Sequence, residues 1–106
     1  TTFQTVHSVT ITTTAGQRVL IIANVNVDHD DEEVIFARIL RGATQIGEDW
    51  TWEEDDQTGS YIDDFVGTIM WVDTPGAGTH TYNLQLRGDD GSTIEIFNKF
   101  MVAMKF

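Results

Sequence analysis

The chain has 106 residues, 41% of them apolar, no cysteine, and a net charge of −11 from 17 acidic against six basic side chains. That length is one domain's worth with a thin core, and the charge leaves no basic stripe to meet nucleic-acid phosphates or an anionic membrane. Without cysteine there is no thiol catalysis, no thiolate metal site and no disulfide to support the core, so burial between subunits is the obvious alternative.

No apolar run approaches the roughly 20 residues of a membrane span, and the opening Thr1-Thr2-Phe3 reads as lacking a secretory leader. No segment repeats apolar residues at helical spacing, whereas Thr, Val and Ile alternate throughout. A first strand is predicted over Phe3 to Thr13, turned by Ala15-Gly16-Gln17. A second runs from Arg18 to Asp28, with Val19, Ile21, Ala23, Val25 and Val27 on one face. Leu20 and Ile22 oppose them and then give way to Asn24 and Asn26, so this strand begins buried on both faces and ends half solvated.

An acidic loop, Asp28 to Glu33, precedes a third strand over Val34 to Arg41 and a tight connection at Gly42-Ala43-Thr44. The fourth strand covers Gln45 to Glu53, with Ile46, Trp50 and Trp52 on one face, and a polar loop follows at Glu54 to Gly59. The fifth, Ser60 to Asp73, is expected to bulge near Asp63-Asp64-Phe65, and its end, Ile69-Met70-Trp71-Val72, is apolar on both faces. After Thr74-Pro75-Gly76-Ala77-Gly78, the sixth strand, Thr79 to Arg87, points His80, Tyr82, Leu84 and Leu86 inward. An Asp-Gly hairpin at Gly88 to Gly91 leads to Ser92 to Asn98 and Lys99 to Phe106, with a kink at Asn98. Seven or eight antiparallel strands in one domain, residues 1–106, imply an all-β two-sheet sandwich or barrel.

The chain ends on Phe100-Met101-Val102-Ala103-Met104-Lys105-Phe106. Such an apolar terminal strand lies centrally in a sheet or against another subunit. Candidate subunit-contact residues are Ile69, Trp71, Phe100, Val102, Met104 and Phe106.

Catalysis finds little footing. His7, His29 and His80 lie on different elements without ligand spacing. The loop carrying Asp28, Asp30 and Asp31 resembles a calcium loop in its Asp-x-Asp pattern but has Glu33 where an EF-hand requires glycine; calcium is the one candidate cofactor. The doublets Glu53-Glu54, Asp55-Asp56 and Asp63-Asp64 point to opposite sides of a strand, so they do not aim two carboxylates at one glycosidic bond. The chain is therefore read as non-enzymatic. Trp50, Trp52 and Tyr61 form the candidate sugar-stacking set, against the plainer reading that the tryptophans fill core or contact.

The stretch Val72-Asp73-Thr74-Pro75-Gly76-Ala77-Gly78-Thr79-His80-Thr81-Tyr82-Asn83-Leu84-Gln85-Leu86, then a Gly-Asp hairpin and a terminal apolar strand, resembles the small jelly-roll domains of tailed-virus fibres and capsid decorations. These are similar in plan to trimeric tumour-necrosis-factor and C1q-like heads. The resemblance covers residues 60–106. It implies a jelly-roll sandwich whose last strand lies near a threefold axis. It also implies a homotrimer on a virion surface, outside the cell, contacting other virion proteins and host-surface glycans. The alternative is a carbohydrate-binding module of a secreted bacterial protein, which requires exposed, coplanar Trp50 and Trp52.

Overall fold

A computed structural model describes residues 2–29, 34–53, 64–88 and 94–106. Seven strands follow in chain order: β1 Gln4–Thr13, β2 Val19–His29, β3 Val34–Arg41, β4 Thr44–Glu53, β5 Asp64–Asp73, β6 Gly78–Gly88 and β7 Ile94–Lys105. No helix occurs among the described residues. The strands form two antiparallel sheets, one ordered β1-β6-β3-β4 and the other β5-β2-β7. The predicted two-sheet sandwich is what the chain builds.

Alternation decides which side chains meet. In β2, Val19, Ile21, Ala23, Val25 and Val27 are buried between the sheets. Ile35, Ala37 and Ile39 of β3 and Tyr82, Leu84 and Leu86 of β6 join them in one core cluster. A side chain of this size contributes roughly 1.5 to 3 kcal/mol when fully buried. The body is long and thin, 53 × 21 × 18 Å, so each strand has only one packed side.

The pairing is nested. β1 pairs with β6, β2 with β5 and β3 with β4, all antiparallel. Folding that long hairpin over on itself adds the β3–β6 and β2–β7 pairs. Among the described strands β7 has no nested partner.

Several local expectations change. The chain turns at Ala15-Gly16 as expected, and that turn carries it from one sheet to the other, because β1 and β2 belong to different sheets. The two predicted C-terminal segments are one strand, β7. Its expected kink at Asn98 is a bulge, since Asn26 pairs with Asn98 but Val27 pairs with Ile96, leaving Phe97 extra. From Asp64 onward β5 pairs with β2 without a bulge.

The flank between β4 and β5 is closed by tryptophan. β4 bulges opposite β3, where Ala37 pairs with Trp50 and Ile39 with Ile46. Gly47 in that bulge has φ of 72°, and a Cβ there would stand 2.9 Å from the Trp71 ring of β5. Reciprocally, a Cβ on Gly67 of β5 would stand 2.5 Å from the Trp52 ring of β4. Trp50 meets Trp71 edge-on, with ring centroids 6.2 Å apart. Each glycine makes room for the ring from the opposite sheet.

Candidate assembly surface

The outer face of β5-β2-β7 collects the apolar residues the core leaves over. Register places Leu20 between Val72 and Met104, and Ile22 between Met70 and Val102. The next row is Thr68, Asn24 and Phe100, in which Asn24 Nδ2 donates to Thr68 Oγ1 at 2.6 Å. Met70 and Phe100 are each 56% exposed and Met104 is 45% exposed. Every large exposed apolar side chain among the described residues lies on β5, on β7 or at Phe106. Contiguous exposure of this kind makes the face a candidate contact surface.

Of the contact residues predicted from sequence, Phe100, Val102 and Met104 lie on this face. Phe106 ends it, exposed, with the Arg18 guanidinium 4.4 Å from its ring centroid. Ile69 requires correction, and Trp71 lies off this face. Ile69 pairs with Ala23 and Trp71 with Ile21, both inward positions; Ile69 is 3% exposed, whereas Trp71 covers Gly47 on the β4/β5 flank and stays 38% exposed. The outward members of that stretch are Met70 and Val72. Leu20 and Ile22, expected to be buried on the second face of β2, are only half-buried in the single chain.

The candidate sugar platform is arranged differently from its premise. Trp50 and Trp52 are half-buried and pack against the core. They stand against β5 rather than side by side in solvent. Tyr61 lies outside the described residues, as do Asp30 and Asp31 of the calcium candidate and most of the acidic loops. Asp28 is placed by its backbone alone, opposite Asp64 and Glu95 at the far end of the three-stranded sheet. Among the described residues no three metal-ligating side chains gather.

One partly buried polar cluster was missed from sequence. Asp73 Oδ2 accepts from Arg41 at 2.6 Å and from the Tyr82 hydroxyl at 2.8 Å. It ties β5 to β3 and β6, one sheet to the other. Burial first, then the bond to Asp73, pushes the Tyr82 phenol far above its ordinary range. The bond to Asp73 likewise raises Arg41. Nearby, Thr13 Oγ1 donates to the Gly76 carbonyl, and His80 Nε2 lies 3.1 Å from the same oxygen. The signal was present: Asp73 continues the inward parity of Ile69 and Trp71, and Tyr82 sits on the inward face of β6. This cluster fastens the sandwich, with Tyr82 0% exposed and the Arg41 side chain 30% exposed.

No protein-family model matches the chain, and no curated protein matches it either.

Proposed function

We propose that this chain is a non-enzymatic structural module of a virion surface that works as a homotrimer, with the outer face of β5-β2-β7 as its subunit contact. The observation that carries the proposal is the apolar block of Leu20, Ile22, Met70, Val72, Phe100, Val102 and Met104 on one face of a chain with net charge −11. The rest of so acidic a surface repels copies, so an apolar face of this size directs association to one place. A closed symmetric assembly covers it once and stops growth.

The resemblance supports the threefold and virion parts of the reading. The nested strand pairs support the jelly-roll part of the reading. The terminal strand, which that plan sets near the threefold axis, here carries Phe100, Val102 and Met104.

Light scattering at moderate salt tests the proposal. The expected mass is three times 11.9 kDa. A dimer would keep the contact face and remove the threefold axis. A monomer at micromolar concentration would sink the assembly reading.

A further inference from the structure

The chain has three methionines and no cysteine, so all of its oxidisable sulfur is thioether. The three-stranded sheet sorts these residues. Met101 of β7 faces inward, belongs to the core cluster and is 7% exposed. Met70 of β5 and Met104 of β7 face outward and are exposed. They stand in adjacent rows on opposite sides of β2, Met70 beside Ile22 and Met104 beside Leu20. A thioether therefore borders the two central apolar residues of the outer face from each side.

Methionine suits an apolar contact because its thioether is unbranched, polarisable and adaptable. Oxidation reverses that. The sulfur lone pair attacks one oxygen of hydrogen peroxide, the O–O bond breaks and an S=O bond forms. The other oxygen takes up the transferred proton and leaves as water. Sulfur gives up two electrons and the peroxide gains them. The product is a polar sulfoxide. On the free chain water meets its oxygen. In a contact it is shut away among Leu20, Ile22, Val72 and Val102, which offer no side-chain donor, and a polar group buried without a partner opposes association.

We infer that Met70 and Met104 are a paired oxidation site controlling self-association: a peroxide acting on the free chain converts them to sulfoxides and bars the outer face of β5-β2-β7 to a second copy, and reduction of both restores it. This switch rests on the subunit contact proposed above. Access sets the order of events. In the free chain both side chains are open to a small oxidant, whereas in the assembly the contact covers them. Oxidation before association therefore blocks it, and association before oxidation protects the methionines. The core withholds Met101 in either state. Because Met70 and Met104 lie outside the core, the oxidised chain keeps its sandwich.

Mild hydrogen peroxide tests this on the intact chain, with peptide mass spectrometry to place the oxygens and light scattering to read the mass. Treated at a dilution where it is monomeric, the chain is expected to gain oxygen at Met70 and Met104 and not at Met101. It should then stay near 11.9 kDa at concentrations where the untreated chain associates, its association midpoint raised about tenfold or more. Circular dichroism should remain β-rich. Treated in the associated state, both residues should oxidise more slowly, in proportion to the fraction of chain left free. Methionine sulfoxide reductases A and B together should return both thioethers and, with them, the mass. Met70→Leu with Met104→Leu keeps the face apolar at nearly the same volume, so that variant should associate and ignore peroxide. If it does not fold, the reductase step still decides the matter on the wild-type chain. An untreated chain that is monomeric at micromolar concentration removes the subunit contact and the switch with it. An oligomer whose mass survives full oxidation of both residues overturns the switch and leaves the subunit contact standing. Equal oxidation rates in the free and associated chain, or a mass that stays low after both thioethers are restored, overturn the switch as well.

Discussion

On the outer face of the four-stranded sheet, Ser8 donates to Asn83 at 2.6 Å, Thr10 meets Thr81 at 3.0 Å and Thr12 meets Thr79 at 2.9 Å. Further along, Gln85 bonds Thr5, and Arg38 bonds Gln85 while lying over the Phe3 ring. On the outer face of the three-stranded sheet, the equivalent cross-strand neighbours are Val72, Leu20 and Met104, then Met70, Ile22 and Val102. Both faces have strand geometry and both lie outside the core. One satisfies itself across each strand pair and needs only water. The apolar rows of the other have nothing to bond across the pair and are stabilised only by being covered. Side-chain chemistry outside the core thus suits one face to solvent and supports the proposal that the other is a subunit contact.

The contrast breaks most completely if charge is placed on the apolar face. Met70→Asp with Met104→Asp sets two carboxylates into the proposed contact, and the proposed trimer is expected to fall to 11.9 kDa units in light scattering. The mirror experiment, Thr10→Asp with Thr81→Asp, should leave the mass unchanged, because that face already belongs to water. Dissociation by both pairs, or by neither, would erase the distinction.

Much of this contrast was legible in sequence. Period-two alternation delimited β3 as Val34 to Arg41 and sorted the inward residues of β2 and β6. The unusual ending, apolar on both sides of β7, was also visible. What stayed hidden depends on contacts distant along the chain. Nothing near Ile69 shows that it pairs with Ala23 and so faces inward. Both aromatic and aliphatic members of Ile69-Met70-Trp71-Val72 suit either face, and only pairing chooses the parity. Gly47 and Gly67 stood within predicted strands as signs of close approach, but the rings filling their space, Trp71 and Trp52, come from the other sheet.

Fastening between the sheets is expected to give the next largest effect, since the two outer faces keep their roles only while the sheets stay stacked. Tyr82→Phe removes one bond to Asp73 and leaves Arg41 in place. A loss of about 1.5 to 3 kcal/mol is expected from a hydrogen bond to a charged group. The raised phenol pKa also sets a pH dependence. Folding favours the protonated phenol, so this contribution is complete below about pH 10, the ordinary tyrosine range, and is lost as pH climbs above it. Urea midpoints measured from neutral to strongly alkaline pH should fall steeply above that point in the wild type and less steeply in Tyr82→Phe. Parallel profiles would show that Tyr82 does not carry the alkaline sensitivity.

A comparable or smaller change follows from Gly67→Ala. The added methyl would meet the Trp52 ring at 2.5 Å, where the neighbouring atoms must shift. Overpacking of this kind costs about 1 to 3 kcal/mol. Because Gly67 is on the inner face, oligomer mass should hold while the thermal midpoint drops and tryptophan fluorescence changes. An undiminished midpoint would mean that the β4/β5 flank yields freely, and the close ring contact would lose its stabilising role.

The smallest effect probes the polar face itself. Thr10→Val with Thr81→Val deletes one hydroxyl pair, now 3.0 Å apart, and keeps two β-branched side chains of nearly the same shape. Cross-strand pairs of this type contribute roughly 0.2 to 1 kcal/mol, and two facing valines recover part of that by packing. The expected change in unfolding free energy is therefore under about 1 kcal/mol. Association should not change either, because Ser8 with Asn83 and Thr12 with Thr79 still enclose the new apolar pair. An apolar pair fenced by satisfied hydroxyls and amides is not a contiguous patch, whereas the outer face of β5-β2-β7 joins seven apolar side chains across three strands. Higher-order species in light scattering of this double variant would show that two valines suffice to make a face adhesive. Exposed area alone would then explain association, and the ordered rows of Leu20 and Ile22 would lose their special standing.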